Sequence, residues 1–363
     1  MQSGRWRWSL GVAAVGALAL ASIAPAQAGT HPSAATTYDQ VNLVSDVAGN
    51  AQITDPNLVN PWGLSFSPTS PMWVSDNGTN VSTLYQGGIH GGTESIVPLV
   101  VTIPGGAPTG QAFNGTSDFV VHDSKGNSGP AAFIFDGESG HISGWNPGVG
   151  GGTHAQNAVV THGAVYKGLS LGSEANEPRL YAADFSGRTV DVFNGHFDRV
   201  ITRGNFEDPE LPANFAPFNV AVLGDMVYVS YAERDKQHTD EVDGAGLGRV
   251  DVFTQTGNLV TRMPDHSALN APWGLAIAPT GFGSFAGDLL VGNFGNGRIH
   301  AYNPQNLSFV GTLRDSHHNP ISIDGLWALL PGNGVQSGTD QVVFSAGPND
   351  EQHGLIGTLS VTS

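Results

Sequence analysis

The sequence predicts an all-β protein: a six-bladed β-propeller of four-stranded blades, closed by an N-terminal strand in the last blade. Three observations predict this fold. A short motif recurs along the chain, each copy precedes further short apolar runs separated by Gly, Asn or Asp turns, and helical periodicity is absent after the first residues. Four-stranded units repeated every ~50 residues are typical of propeller blades, because sheets this small bury their faces only by stacking around a ring.

The recurring motif gives the blade boundaries. Residues 60–66 read Asn-Pro-Trp-Gly-Leu-Ser-Phe, and residues 271–277 repeat the pattern as Ala-Pro-Trp-Gly-Leu-Ala-Ile. Weaker copies occur at 117–121, 165–171, 216–222 and 324–329. We therefore expect a single propeller over residues 29–363, with blades starting near residues 60, 115, 165, 216, 271 and 322.

The two ends of the chain are expected to complete the last blade together. The sixth repeat supplies only three apolar runs, at 326–330, 341–345 and 355–361, whereas the run at 40–44 belongs to no repeat. Pairing the N-terminal run with the sixth repeat would supply the missing fourth strand and cover two strand edges. This pairing would close the ring.

The first 28 residues have the three zones of a secretory signal peptide. Arg5 and Arg7 give a positive start, an apolar stretch covers 10–24, and residues 26–28 read Ala-Gln-Ala, the small-residue pattern that precedes cleavage. The alternative is an uncleaved membrane anchor, which the short apolar stretch disfavours. We expect a signal peptide over residues 1–28, cleavage near Ala28, a secreted or periplasmic protein, and no membrane span in the mature chain.

Composition narrows the choice of partners. The chain has 31 acidic and 14 basic residues, a formal net charge of −17, and no cysteine. Nucleic acid is excluded as a partner because phosphate binding requires a basic surface. Without disulfides, the stability of the protein must come from burial in a closed fold. We expect a monomer whose partner is a small molecule, an extracellular protein or a polysaccharide.

Two segments carry a resemblance to known propellers. The strand at 272–277 and the Asn–turn–Arg-Ile hairpin at 293–302 resemble NHL-type propeller repeats. More closely, residues 58–65, Leu-Val-Asn-Pro-Trp-Gly-Leu-Ser, together with 75–79, Ser-Asp-Asn-Gly-Thr, resemble an uncharacterised family of secreted bacterial propellers over roughly residues 38–361. The resemblance implies the propeller fold and a secreted location, and it implies no activity.

The ligand site is expected at the mouth of the central channel. We call the face that carries the loops entering the innermost strands, and the loops joining second and third strands, the upper face; propeller ligands usually bind there. The residue before the repeat's glycine position should line the mouth in each blade, and no glutamate stands at such a position. Packing between blades is the alternative role for the aromatic members. The predicted ligand-binding residues are Asn60, Trp62, Lys167, Phe218, Trp273 and Asp324, with Lys167 and Asp324 facing each other across the ring.

Histidines near the sixth blade suggest a metal site. His317 and His318 precede Asp324, and His353 lies in the next loop of the same blade. Imidazoles with carboxylates bind transition metals, and the metal site that these residues suggest comprises Asp324, His317, His318 and His353. The cofactor stays open, with a divalent metal such as Ca²⁺ as one candidate. Solvated polar loops are the alternative interpretation.

Two further features need an interpretation. The second strand of four blades ends in an acid or amide, at Asp76, Asp136, Asp184 and Asn293, which is typical of Asx turns. Residues 233–246 form a charged insertion in blade four, which we interpret as either a lid or a solvated loop.

Two functions remain open at this point. The first is an exported binding or scaffolding module with its ligand site at the channel mouth. The alternative is a divalent-metal-dependent hydrolase or lyase of the lactonase-like propeller type, in which an ion polarises a carbonyl or activates water. The chain contains no Gly-x-Ser-x-Gly elbow, no phosphate-binding Gly-x-x-x-x-Gly-Lys and no cysteine nucleophile. The sequence therefore favours the binding module.

Overall fold

The computed structural model describes residues 36–88, 92–264 and 268–362. Within these residues the chain consists of short strands and turns, with 3-10 turns at Asn77–Thr79, Gly150–Gly152 and Gly283–Phe285, and it contains no α-helix. The signal peptide predicted over residues 1–28 lies outside the described residues. No helix in the described part of the chain is long and apolar enough to cross a membrane.

Six sheets form the blades, each running from an inner to an outer strand, and all pairings in them are antiparallel except that of the two outermost strands of blade six. Blade one contains β3 (Pro61–Ser65), β4 (Met72–Asp76), β5 (Val81–Gln86), β6 (Ser95–Ile96) and β7 (Val101–Thr102). Blade two contains β8 (Pro108–Phe113), β11 (Phe133–Gly137), β12 (His141–Trp145) and β13 (Gln156–Val160), with a separate hairpin of β9 (Val120–His122) and β10 (Ser128–Pro130). Blade three contains β14 (Tyr166–Glu174), β15 (Glu177–Asp184), β16 (Thr189–Asn194) and β17 (Arg199–Val200).

The remaining blades follow the same order. Blade four contains β18 (Phe215–Leu223), β19 (Met226–Arg234), β21 (Gly248–Thr254) and β22 (Leu259–Arg262), and β20 (Glu241–Val242) pairs with β19. Blade five contains β23 (Pro272–Ile277), β24 (Leu289–Asn293), β25 (Ile299–Tyr302) and β26 (Phe309–Thr312). Blade six contains β27 (Leu326–Pro331), β28 (Val342–Ala346), β29 (Leu355–Val361), β1 (Tyr38–Ser45) and β2 (Ile53–Thr54). The inner strands contact one another in the cyclic order β3, β8, β14, β18, β23, β27 and back to β3. The predicted six-bladed propeller is confirmed.

The N-terminal strand closes the ring. Strand β1 pairs antiparallel with β29, so that Tyr38 lies opposite Val361 and Ser45 lies opposite Leu355. Tyr38 is buried, and its hydroxyl donates a hydrogen bond of 3.0 Å to the carbonyl oxygen of Phe282 in blade five. The predicted closure is therefore confirmed, and β1 also fastens the last blade to its neighbour.

The glycine of the repeat is required by close approach of neighbouring inner strands. The inner strand of every blade has a pairing irregularity near its start. A Cβ atom on Gly63 would lie 2.6 Å from the Thr109 carbonyl oxygen, and one on Gly274 would lie 2.7 Å from the Trp327 carbonyl oxygen. Both distances are shorter than non-bonded atoms tolerate. Glycine at these two positions therefore serves the packing of the ring.

Two of the predicted blade starts are wrong. The inner strand of blade two is β8, not the run at 117–121, which leads into the separate β9–β10 hairpin. Strand β8 reads Pro-Thr-Gly-Gln-Ala-Phe, so its polar residues hide it from a search for apolar runs. In blade six the strand pairing is interrupted between Leu326 and Leu329, as it is between Pro61 and Leu64 in blade one. Aligning the two interruptions places Trp327, and not Asp324, at the position equivalent to Trp62. The inner strands thus begin at residues 108 and 326 instead of near 115 and 322.

Candidate ligand-binding site at the channel mouth

Aromatic side chains fill the middle of the channel. Trp62 stacks on Trp327 with their ring centroids 3.5 Å apart, and Trp273 and Phe218 meet this pair edge-on. All four side chains belong to residues that are at most 4% exposed. They occupy equivalent positions near the start of four inner strands, which is why they meet near the axis of the ring. We call these four residues the aromatic plug.

Blades two and three place a polar and a charged residue at the same position. Thr109 Oγ1 lies 2.9 Å from Asp136 Oδ1 and 2.9 Å from the Tyr166 carbonyl oxygen. Lys167 has no exposed surface, and its Nζ lies 5.1 Å from the Trp62 ring centroid. The backbone carbonyl of Lys167 also accepts a hydrogen bond from Trp273 Nε1 at 2.8 Å. A single buried ammonium therefore sits against the plug.

Three carboxylates surround this ammonium. Lys167 Nζ lies 2.6 Å from Glu138 Oε1, 3.0 Å from Asp240 Oδ1 and 3.7 Å from Glu241 Oε2. Glu138 lies in the turn between β11 and β12, and Asp240 and Glu241 lie in the blade-four insertion, whose strand β20 folds back on β19. Loops of blades two and four thus deliver the counter-charges for a lysine of blade three.

A fourth carboxylate joins the group through amide side chains. Glu351, in the turn between β28 and β29, accepts a hydrogen bond from Asn60 Nδ2. Asn60 Oδ1 accepts a 2.9 Å bond from Trp327 Nε1 in the plug, and Asn77 Nδ2 donates a 3.1 Å bond to Glu138 Oε2. This network links blades six, one and two around the mouth. We call Glu138, Asp240, Glu241 and Glu351 the acidic mouth.

The acidic mouth has an exposed rim and a buried base. The side chain of Asp240 is 64% exposed and that of Glu138 is 31% exposed, whereas that of Glu241 is only 4% exposed. Glu241 Oε2 has no hydrogen-bond partner among the described residues, and neither has the buried Trp62 Nε1. Solvent therefore reaches the carboxylate oxygens of Asp240 and Glu138, whereas the buried Glu241 Oε2 accepts no hydrogen bond.

Burial and charge set the protonation of these groups. Burial raises the pKa of Glu241, and the neighbouring Lys167 offsets only part of that rise. Burial also raises the pKa of Glu351. Burial alone would lower the pKa of Lys167, but Glu241, Glu138 and Asp240 outweigh it and the pKa is raised. Lys167 is therefore a cation at neutral pH and cannot serve as an amine nucleophile.

The residues at the mouth do not fit a divalent metal. The nearest carboxylate oxygens surround the Lys167 ammonium, which already supplies a cation at that place. Among the described residues, no three His, Cys, Asp or Glu side chains converge to hold a metal ion. A catalytic metal centre of the kind that the sequence suggested would need such a set of ligands.

The structure separates the residues of the predicted metal site. Asp324 is exposed and accepts a hydrogen bond from the Asn349 backbone N–H at 2.8 Å, in a cleft of about 320 Å³ that His353 also lines. His353 Nδ1 lies 2.8 Å from Asp46 Oδ2. His317 and His318 lie in an exposed turn after β26, and no contact in the described structure joins either of them to His353 or Asp324. The prediction of a metal site at these four residues is corrected accordingly.

Asp324 also does not face Lys167. It lies three residues before the position in blade six that reaches the axis, so Trp327 takes its place. Of the other predicted ligand-binding residues, Trp62, Phe218 and Trp273 are buried in the plug, Lys167 is buried beneath the carboxylates, and Asn60 is 4% exposed. These five residues support the site from below, and Glu138 and Asp240 of the acidic mouth reach the solvent.

No glutamate stands at the start of an inner strand, but three glutamates reach the mouth from other loops. Glu138, Glu241 and Glu351 reach it from loops between second and third strands, and not from the starts of inner strands. Two signals in the sequence point toward them: Asp240 and Glu241 lie in the charged insertion, and Glu351 follows Asp350 in a loop of the upper face. Most residues of the insertion are exposed, as expected of a solvated loop, but its residues Asp240 and Glu241 pair with Lys167.

The acids and amides that end second strands serve the backbone. Asp184 Oδ1 accepts hydrogen bonds from the backbone N–H groups of Gly187 and Val165. Asp76 Oδ2 accepts bonds from both the backbone and the hydroxyl of Thr83. These contacts agree with the structural role that the sequence predicted for them.

Two other cavities lie away from the mouth. A cleft of about 540 Å³ opens between blades three and four, and a space of about 280 Å³ occupies the lower end of the channel beneath the plug. In the cleft, Arg199 pairs with Asp191 and Arg188 donates to the Phe215 carbonyl oxygen, so both arginines already have partners. The mouth is the better candidate site because its acceptors exceed its donors.

No model of a known protein family matches the chain. Among solved structures, streptogramin B lyase is 11% identical with a TM-score of 0.47, covering 90% of this chain and 97% of that chain. A chain of the Kuenenia stuttgartiensis hydrazine synthase is 12% identical with a TM-score of 0.46, covering 85% of this chain and 98% of that chain.

Relatives by sequence are found in a virus. One uncharacterized protein of Acanthamoeba polyphaga mimivirus is 30% identical over 337 residues, covering 90% of this chain and 81% of the relative. Another from the same virus is 32% identical over 338 residues, covering 90% of this chain and 86% of the relative. The family that the sequence resembles is therefore not confined to bacteria, since these two relatives are viral. The chain belongs to the same family as these two mimivirus proteins.

Proposed function

We propose that the protein is an exported, non-catalytic binding module of NHL-like propeller type, and that the acidic mouth is its ligand site. One observation carries the proposal: four carboxylates from three blades lie around the channel mouth, and three of them contact the Lys167 ammonium, the one cation paired with them among the described residues. Convergent polar groups over an apolar floor are typical of small-molecule sites. The ligand is a small molecule, or a side chain or sugar of a larger extracellular partner.

The charge arrangement supports binding over a purely structural role. A buried ion pair stabilises a fold little, because the loss of hydration offsets most of the attraction. A mouth that served only stability would therefore be apolar, as the plug beneath it is. Instead, Asp240 and Glu138 remain partly exposed, so a ligand can reach them without any opening of the ring.

Catalysis is disfavoured by the chemistry of the same residues. Lys167 is held protonated, so it is neither a nucleophile nor a general base at neutral pH. The carboxylates surround this ammonium in place of a metal ion. The hydrolase or lyase alternative therefore has no assembled constellation among the described residues.

Thermal-shift measurements on residues 29–363 test the proposal. The protein is screened against amines, dicarboxylates, amino acids and oligosaccharides, and each compound that raises the melting temperature is measured again with Asp240→Asn. Glu207→Gln is the matched control, since Glu207 is an exposed acid near the cleft between blades three and four. We expect Asp240→Asn to abolish the shift and Glu207→Gln to keep it. Shifts that survive Asp240→Asn, or one tightly bound divalent ion per chain, would overturn the proposal.

A further inference from the structure

We propose that the acidic mouth recognises a ligand that carries a primary ammonium group, held by N–H donation to Asp240, Glu138 and Glu351. This inference rests on the proposed function and specifies the ligand class for the same site. The observations that carry it are the excess of acceptors, the geometry around Lys167, and the buried Glu241 Oε2, which lies 3.7 Å from Lys167 Nζ and accepts no hydrogen bond.

The first argument is the balance of charge and of hydrogen bonds. Ionised carboxylates only accept hydrogen bonds, whereas an ammonium only donates them. The described mouth has four carboxylates and one ammonium, with donors added by Asn60 and Asn77. Glu241 Oε2 is buried and lacks a hydrogen-bond donor. A ligand that completes this set must bring positive charge and N–H groups.

The second argument is that Lys167 already displays the geometry. Its ammonium donates to Glu138 at 2.6 Å and to Asp240 at 3.0 Å, which are the distances of charge-assisted hydrogen bonds. The same ammonium lies over the Trp62 and Phe185 rings at 5.1 and 5.8 Å, a cation–π arrangement. The Lys167 side chain is thus a primary ammonium bound by the same carboxylates that we expect to bind the ligand.

The third argument separates an ammonium from the other cations. A quaternary ammonium has no N–H to donate, so it would leave the carboxylate acceptors unsatisfied. A divalent metal needs several convergent oxygens at about 2.3–2.6 Å, and no such set occurs among residues 36–88, 92–264 and 268–362. An anionic ligand would be repelled by the four carboxylates. The primary ammonium is the class that both the charge and the donors favour.

Proton release offers a second readout of the same event. Burial raises the pKa values of Glu241 and Glu351, so part of the mouth is protonated in mildly acidic solution. A second ammonium would favour the ionised carboxylates, as Lys167 already does for Asp240, whose pKa it lowers against the effect of burial. Ligand binding should therefore expel protons from the mouth.

The experiment uses three probes of one length. Cadaverine carries two primary ammonium groups, its permethylated analogue pentamethonium carries the same charge without N–H, and glutarate carries the opposite charge. Each is titrated into residues 29–363 by calorimetry at pH 6 and 0.15 M salt, in two buffers of different ionisation enthalpy. We expect cadaverine to bind at least tenfold more tightly than pentamethonium, glutarate not to bind, and protons to be released.

Variants of the acidic mouth test whether cadaverine binds there. Asp240→Asn and Glu351→Gln should each weaken cadaverine binding at least tenfold, and Glu207→Gln should change it less than twofold. Equal binding of cadaverine and pentamethonium, or no binding of cadaverine, would overturn the ammonium inference and leave the binding module standing. Cadaverine binding that falls equally in all three variants would assign it to the acidic surface as a whole and overturn the inference. Glutarate binding lost in Asp240→Asn would confirm the module and overturn the ligand class.

Discussion

Replacing Lys167 with methionine should destabilise the propeller by about 3 kcal/mol at pH 8, the lower end of the cost of removing one partner from a buried ion pair. This free-energy cost follows from how far each of the three carboxylates around Lys167 is exposed to solvent. Glu138 and Asp240 are 31% and 64% exposed, so each can recover hydration and contributes about 0–1 kcal/mol. Glu241, at 4% exposure, cannot recover hydration, and it would be left as a buried charge without a cation. The methionine chain retains the apolar contact with the plug.

The free-energy cost of Lys167→Met should be smaller at acidic pH. The folded-state pKa of Glu241 is already raised by burial, and removing Lys167 raises it further. The folded state then binds more protons than the unfolded state, so stability falls as the pH rises through the window above the unfolded value of 4.5. At pH 5 the protonated Glu241 no longer carries a charge, and the cost of Lys167→Met should fall to about 1 kcal/mol.

Urea unfolding at pH 5, 6.5 and 8, followed by circular dichroism and tryptophan fluorescence, measures both effects. Lys125→Met is the matched control, because Lys125 is exposed, and it should cost less than about 0.5 kcal/mol at every pH. Adding Glu241→Gln to Lys167→Met should recover stability at pH 8. A loss below about 1 kcal/mol at pH 8, or a loss that does not change with pH, would refute this account of the buried cluster.

Three further predictions follow from the fold. Deleting residues 29–46 removes β1 and leaves the edge of β29 open, so the protein should aggregate or melt at a lower temperature; an unchanged melting temperature would contradict the closure. Trp62→Ala should cost about 3–5 kcal/mol in denaturant unfolding, as in a core, because the residue is 1% exposed; a loss under about 1 kcal/mol would mean that it lines an open channel. Burial raises the pKa of Asp136 to about 7, so stability should fall as the pH rises from 4 to 7, and Asp136→Asn should flatten that slope in urea titrations; an identical slope would assign it to another group.

The fold could be predicted because its signals are local. Motif spacing, short apolar runs and turn residues lie within single blades, and the spare run at 40–44 points directly to the closure. Blade two was placed wrongly because β8 is polar and close-packed through Gly110, while a more apolar run at 117–121 imitates the motif. The repeat in blade six was aligned three residues too early, because Asp324-Gly325 resembles the turn that precedes an inner strand.

The site could be predicted only in part. The mouth position and Lys167 follow from the repeat, because a charge among aromatic residues stands out in the aligned copies. The partners of Lys167 do not follow, because Glu138 and Glu241 lie in loops of two different blades and meet only when the ring closes. The depth of the aromatic residues depends on the same closure, since Trp62 is covered by Trp327 from the far end of the chain.

The blade-four insertion and Lys167 act together, because the insertion supplies two of the carboxylates that pair with Lys167. The position that Lys167 occupies is filled by tryptophan in three other blades, so an apolar residue fits there. Replacing a buried ionic group with apolar residues of similar volume is often neutral or stabilising by about 1–4 kcal/mol. The combined variant Lys167→Met with Glu241→Leu and Asp240→Asn should therefore unfold at a urea concentration equal to or above that of the native protein, and it should not bind cadaverine. A stable protein without binding would show that the charged mouth serves recognition; a combined variant less stable than Lys167→Met alone would show that the cluster serves the fold.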